Sequence, residues 1–231
     1  MNSVFETEQF VVYDDVLDED AWSALWTYFQ FEELLPVTVT EGAWKLEDGQ
    51  PMAGPEFHSP PRRDGYDQPE GTYPTDTGVD GLIEALVSIQ DRLTPWVGDD
   101  WFRVSGRSYI YPRGSALTWH RDDHAYYSGA FIYYAHPEWN AQWGGELLIA
   151  NPQGLDDLPV MPFRFDNRDY SESLLERGLG HYVLPKPNRL VVLGNVAHAV
   201  TPVTPAAGRH VRASLAGFFL RQDPESDVEP A

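Results

Sequence analysis

From Trp101 onward the chain is divided into short runs rich in β-branched and aromatic residues, at 102–111, 130–135, 145–150, 189–193 and 213–220, and segments of that length and makeup read as strands. Two helical patterns precede them. Asp18, Glu19 and Asp20 stand ahead of Trp22, Leu25, Trp26 and Phe29, a capping signal with favourable first-turn charge followed by one apolar face. After Thr77, the residues Val79, Leu82, Ile83, Leu86 and Leu93 recur at similar spacing until Pro95, which should stop the helix because it lacks a backbone donor. Strands in the carboxyl-terminal half with helices ahead of them predict an α+β fold whose sheets close into a jelly-roll or sandwich, with the helices as supports.

At 231 residues the chain can bury one proper core, and we expect one domain over 1–221 followed by an acidic, fraying tail over 222–231. Two long stretches, 41–78 and 151–180, lack clear periodicity. The first is crowded with Pro and Gly; the second carries Arg164, Arg168 and a short helical pattern at 172–177. Their aromatic residues, including Trp44, Phe57, Tyr66, Tyr73, Phe163 and Phe165, exceed what a linker needs, so the sequence predicts functional lids.

With 36 acidic residues against 16 basic ones, the formal charge is -20. That balance repels phosphate backbones and anionic lipid, so no nucleic-acid or membrane partner is expected, whereas a cationic substrate would be attracted. Solubility is the simpler account of the surplus. Cysteine is absent, so disulfides cannot form and any metal must sit on nitrogen and oxygen. No basic stretch precedes an apolar region at the amino terminus, and no apolar run approaches the roughly 18 residues of a membrane span. A cytoplasmic protein is expected.

Three residues carry the metal chemistry. His120 and Asp122 lie in Trp119-His120-Arg121-Asp122-Asp123, where a step of two points both side chains the same way along extended backbone. His198 follows the strand pattern at 190–193, in Asn195-Val196-Ala197-His198-Ala199-Val200. Two imidazoles and one carboxylate can hold a ferrous ion on one face and leave the other face open. His-x-Asp alone is a weak signal in a chain with 7 His and many Asp, and His198 on an apolar strand could equally be a core histidine bonded to a carbonyl. Arg212 and Ser214 strengthen the metal reading: two apart on an apolar strand they face one way, and a guanidinium forks onto a carboxylate. Arg209, in a Gly-containing turn, is the rival arginine, and a surface ion pair is the plainer role for Arg212. Asp123 should point away from His120, and His124 could ligate beside it only on a helix, which the sequence does not predict. Trp119, Tyr126, Tyr127, Tyr133, Trp139 and Trp143 surround the proximal ligands; some should line a substrate cavity and most should be core.

On these residues the region from about Tyr109 to Leu220 resembles the 2-oxoglutarate and Fe(II)-dependent dioxygenase superfamily, in its prolyl-hydroxylase-like branch. The resemblance implies a double-stranded β-helix (jelly-roll) core with supporting N-terminal helices. It implies iron ligation by His120, Asp122 and His198, and co-substrate binding by Arg212, Ser214 and Tyr111, a phenol just before Pro112. Gly144-Gly145-Glu146-Leu147 looks like the strand start that precedes the distal histidine in that branch. Fe(II), 2-oxoglutarate and O2 are then expected, with ascorbate as a candidate reductant.

The implied reaction is hydroxylation of an unactivated C–H bond coupled to decarboxylation of 2-oxoglutarate to succinate. Asp122 fills the position that a related halogenase leaves to chloride, so hydroxylation is expected over halogenation. The first expectation for substrate is a small molecule, an amino-acid derivative or natural-product intermediate enclosed by the long loops. A prolyl residue in a protein or peptide is the second, and the acidic charge sets back a nucleic-acid demethylase. A non-catalytic jelly-roll module holding a structural metal or a sugar is the alternative of another class, against which a carboxylate-anchoring arginine argues.

Overall fold

The computed structural model describes residues 1–37, 47–122, 124–151 and 168–222. Strands β1 (Ser3–Glu6) and β2 (Phe10–Asp14) open the chain, followed by helix α1 (Glu19–Phe31), β3 (Leu35–Pro36), β4 (Glu47–Asp48) and β5 (Met52–His58). Helices α2 (Val79–Ile89) and α3 (Thr94–Val97) come next, then β6 (Trp101–Tyr111), β7 (Ala116–His120), β8 (Tyr127–Tyr134) and β9 (Leu147–Ala150). Helix α4 (Arg168–Arg177), β10 (Gly180–Val183), β11 (Arg189–Leu193), β12 (His198–Val200) and β13 (Arg212–Arg221) complete the order. One sheet runs β1-β2-β11-β8-β13-β6-β5-β3 and the other β10-β9-β12-β7-β4.

Side-chain alternation gives the larger sheet two apolar faces. On one, Ala213, Leu215 and Phe219 of β13 and Phe131 and Tyr133 of β8 join Leu25 and Phe29 of α1 and Leu82, Ile83 and Leu86 of α2 in a core under the helices. On the other, Tyr111, Ile132, Tyr134, Val191 and Leu193 meet Leu147 and Ile149 of β9 and Val200 of β12, so a second core fills the space between the sheets. Helix α1 starts where its sequence dictates, since Asp18 accepts a hydrogen bond from the Ala21 backbone N–H at 2.8 Å and Glu19 and Asp20 occupy the first turn. Any Cβ at Gly78, just ahead of α2, would collide with the backbone at Ala24 and Leu25. Glycine there lets the two helices meet. Among the described residues no helix is long and apolar enough to cross a membrane.

Several expectations are revised. Strands are not confined to the carboxyl-terminal half, because β2 pairs with β11 and β5 with β6 in the larger sheet. Part of segment 41–78 is therefore sheet rather than lid: β5 carries Pro55 at an irregularity in register between Ala53 and Glu56, which is how a sheet accommodates proline. Phe57 is core, and Tyr66 stacks on Phe102 at 4.1 Å. Pro95 does not end helical structure; after a 3-10 turn at Gln90–Arg92 it enters the first turn of α3, where a missing N–H costs nothing. The helical pattern at 172–177 is the end of α4. Trp44, Phe163, Arg164, Phe165 and the tail after Gln222 lie outside the described residues.

Asn188 ties the entry of α1 to the sheet. It is buried in the left-handed region (φ 58°), which Asn tolerates better than most side chains. Its Oδ1 accepts from the Leu17 N–H at 2.9 Å and from the Tyr133 hydroxyl at 2.8 Å, and its Nδ2 donates to the Leu17 carbonyl at 2.8 Å. Asn188→Ala strands a buried amide and a buried phenol, and should lower stability by about 3 kcal/mol in urea melts with little change in the m value.

Candidate metal centre and co-substrate pocket

In the smaller sheet β12 lies between β9 and β7, and its register sets His198 opposite His120. Val196 and Val200, two residues to either side of His198, belong to the core between the sheets. By alternation His198 faces that space. The two imidazole rings stand 4.2 Å apart between centroids. Asp122, two residues past the end of β7, turns its carboxylate onto both, with Oδ1 at 3.7 Å from Nε2 of His120 and Oδ2 at 3.5 Å from Nε2 of His198. Among the described residues these three form the group that could hold a metal ion, their ligand atoms lying within 4.8 Å of one another.

Each ring is fixed from behind. Nδ1 of His120 lies 2.8 Å from the Thr118 carbonyl, and Nδ1 of His198 lies 3.0 Å from the Val196 carbonyl. A carbonyl only accepts, so Nδ1 carries a hydrogen in both rings, and Nε2 is the atom that each ring presents beside Asp122 for a metal. Burial and the neighbouring His198 push the His120 imidazole down to about 4, against the pull of Asp122. Two imidazole Nε2 atoms and a carboxylate thus converge, an arrangement that a divalent cation satisfies. The donor set fits iron.

Strand β13 runs between β8 and β6. Its residues Ala213, Leu215 and Phe219 face the helices while Ala216 and Phe218 pack on the inter-sheet core, so Arg212 and Ser214 face inward too. Arg212 is 2% exposed. Its Nε donates to the Gly145 carbonyl at 3.0 Å and its Nη1 to Ser214 Oγ at 3.2 Å. The guanidinium carbon lies 4.9 Å from the Tyr134 ring centroid and 5.6 Å from that of Tyr111. Among the described residues Arg212 has no carboxylate partner; its Nη2 is buried without a hydrogen bond, and so is the Tyr134 hydroxyl oxygen. A buried cation lacking a counter-ion is costly, and a carboxylate entering beside it would complete both groups. Burial raises the pKa of the Tyr134 phenol, which keeps it a donor.

The sequence signalled Arg212, Ser214 and Tyr111 but not Tyr134, which lies in an apolar run and reads as core. Only its pairing with Ser214 brings it to this pocket. Arg209 is exposed, and His124 is exposed and stacked on Tyr126 at 4.8 Å; Asp123 lies outside the described residues. Of the aromatic neighbours, Tyr133 faces the helices, Trp139 and Trp143 pack on the inter-sheet core, and Tyr127 stacks on Phe218 at 4.0 Å.

A family model described as the 2OG-Fe(II) oxygenase superfamily matches residues 106–220, the span that carries every group of this site. The chain belongs to that superfamily. Its cofactors are accordingly iron(II) and 2-oxoglutarate. No curated protein matches this oxygenase. Its fold is similar to a prolyl-4-hydroxylase from Pseudomonas putida, at 19% identity and TM-score 0.59 over 92% of each chain. It is also similar to a prolyl hydroxylase from Trichoplax adhaerens solved with a hypoxia inducible factor peptide, at 14% identity and TM-score 0.59 over 96% of this chain and 89% of that one. HygX from Streptomyces hygroscopicus, solved with nickel and 2-oxoglutarate, matches at 10% identity and TM-score 0.55 over 92% of this chain and 83% of its own.

Gly145 positions Arg212 through its carbonyl and also through its missing side chain. With φ at 74°, a Cβ there would stand 2.9 Å from Arg212 Cδ. Gly145→Ala should displace the guanidinium and weaken 2-oxoglutarate binding about tenfold, ~1.4 kcal/mol, in calorimetric titration of the metal-loaded oxygenase.

Proposed function

We propose that this oxygenase hydroxylates an unactivated C–H bond of a small amino-acid-like or natural-product metabolite, releasing succinate and CO2, on a double-stranded β-helix core within residues 1–221. The observation that carries the reading is a buried guanidinium that has no carboxylate counter-ion among the described residues, turned toward the same inter-sheet space as two histidines and a carboxylate. Iron(II), bound with 2-oxoglutarate and O2, would supply the oxidising chemistry. His120 and His198 would hold the metal through Nε2 and Asp122 through its carboxylate, a donor set suited to non-haem iron(II). The backbone carbonyls behind each Nδ1 keep both rings in the ligating tautomer.

Arg212 and Ser214 take the distal carboxylate of 2-oxoglutarate, and Tyr134 donates its phenolic hydrogen to it. Tyr111, paired across the strands with Arg212, contributes a second phenol to the co-substrate. The apolar inter-sheet side chains exclude water and hold the reacting groups in one orientation. Because Asp122 completes the ligand set, hydroxylation is favoured over halogenation.

The test is anaerobic addition of Fe(II) and 2-oxoglutarate, which should give a visible charge-transfer band, followed by air, which should give succinate only when both were added. Calorimetry showing no 2-oxoglutarate binding with metal present would leave a non-catalytic metal-binding module instead.

A further inference from the structure

The inner face of β6 carries Arg107 and Ser105 where the flanking strand β13 carries Ala216 and Phe218. Tyr111 and Tyr109 pack on the inter-sheet core, so Arg107 and Ser105 look the same way by alternation, whereas Ser108 on the other face bonds Tyr28 of α1 at 2.9 Å. Strand β5 sets Glu56 opposite Arg107 and His58 opposite Ser105. The four side chains are connected. Arg107 Nη1 donates to the Gly54 carbonyl and Nη2 to Glu56 Oε2, both at 3.3 Å. Ser105 Oγ donates to Glu56 Oε1 at 2.7 Å, and His58 Nε2 lies 3.4 Å from the same oxygen.

On the other flank β13 sets Ala216 opposite Arg107 and Phe218 opposite Ser105. Arg107 is four strand positions from Tyr111, the partner of Arg212, which is roughly 13 Å along the strand. Arg212 and Ser214 are buried while Ala216 and Phe218 are partly open, so the inner face opens toward the charged ladder. The side chains of Arg107 and Glu56 are 29% and 41% exposed. The His58 hydrogen bond, with help from Ser105 and Arg107 against the cost of burial, holds Glu56 down to about 2. It stays ionised in use.

An exposed ion pair of this kind adds little stability, and the expected filling for the inner face of a sheet sandwich is apolar. What the pair offers is a fixed cation and a fixed anion side by side. A molecule with opposite charges on neighbouring carbons matches it, its carboxylate on the guanidinium and its ammonium on Glu56. The stacked pair of Tyr127 and Phe218 supplies an apolar wall for such a molecule's side chain.

We propose that Arg107 and Glu56 form the substrate clamp of this oxygenase, binding the carboxylate and ammonium groups of a free α-amino acid. The clamp rests on the oxygenase reading and selects against a residue inside a peptide, whose amino and carboxyl groups are tied up as amides. The experiment is calorimetric titration of the protein loaded with Ni(II) and 2-oxoglutarate with the common L-amino acids, the carboxamide and N-acetyl derivatives of any that bind, and a proline-containing peptide. At least one free amino acid should bind, and its blocked derivatives and the peptide should bind at least tenfold more weakly. Arg107→Met should lose the discrimination against the carboxamide and keep that against the N-acetyl form, and Glu56→Gln should do the reverse; a merely structural pair would weaken all binding alike. Loaded wild-type protein that ignores every free amino acid, or prefers the peptide, overturns the clamp and leaves the oxygenase reading standing. Wild-type protein that does not bind 2-oxoglutarate with Ni(II) sinks both.

Discussion

His198→Ala should reduce succinate formation at least about 10³-fold, equivalent to ~4 kcal/mol of lost transition-state stabilisation. The ring is one of three converging donors, and its Nδ1 bond to the Val196 carbonyl aims Nε2 at the Asp122 carboxylate. Alanine leaves two donors, so Fe(II) affinity should fall far more than the 10- to 100-fold typical of losing a group behind a ligand. Stability distinguishes this from simple unfolding. Without metal the variant loses packing between Val196 and Val200 but also removes a buried polar ring, so its melting temperature should change modestly. With Fe(II) or Ni(II) the wild type gains stability by mass action and the variant does not. Turnover at the wild-type rate in this variant would refute the ligand assignment.

Arg212→Met is expected to raise the KM for 2-oxoglutarate by about 10²- to 10³-fold, or ~3–4 kcal/mol, the range for removing one partner of a buried charge pair. The informative part is its sign in the absence of ligand. The wild type carries a guanidinium that is 2% exposed with an unpartnered Nη2, and replacing such a charge with an apolar side chain of similar reach is neutral or stabilising. Melting curves should therefore exchange order: Arg212→Met level with or above the wild type in buffer, and below it in saturating 2-oxoglutarate with metal. Arg209→Met, at an exposed position, should follow the wild type in both conditions. A variant at 212 that is much less stable without ligand would mean that the charge already has a partner.

The helices under the larger sheet were legible because their signals are local: Asp18 caps, and Leu82, Ile83 and Leu86 repeat on one face. Strands β6, β8, β11 and β13 were legible as apolar runs. Strands β1 and β5 were not, since every residue of β1 is exposed and β5 contains both Gly54 and Pro55, residues that argue against a strand when read alone. At the site, residue types and short spacing carried His120, Asp122, His198, Arg212 and Ser214. Tyr134 and the pairing of Arg107 with Glu56 depend on which strand lies beside which and in what register. A single sequence holds no local trace of that.

Among the described strands the one bearing Arg212 comes last in chain order, yet β13 lies in the interior of the larger sheet, hydrogen-bonded to β8 on one side and β6 on the other. Until it emerges, those two neighbours have no template between them, and the amino-terminal β2 must also wait for β11. Assembly of the sheet is thus a late, long-range event, which predisposes to slow folding and exposes unpaired edges during synthesis. A nascent chain or one terminated before β13 would lack Arg212 and the middle of its own sheet together, so a partial product would be a target for quality control rather than a weakly active enzyme.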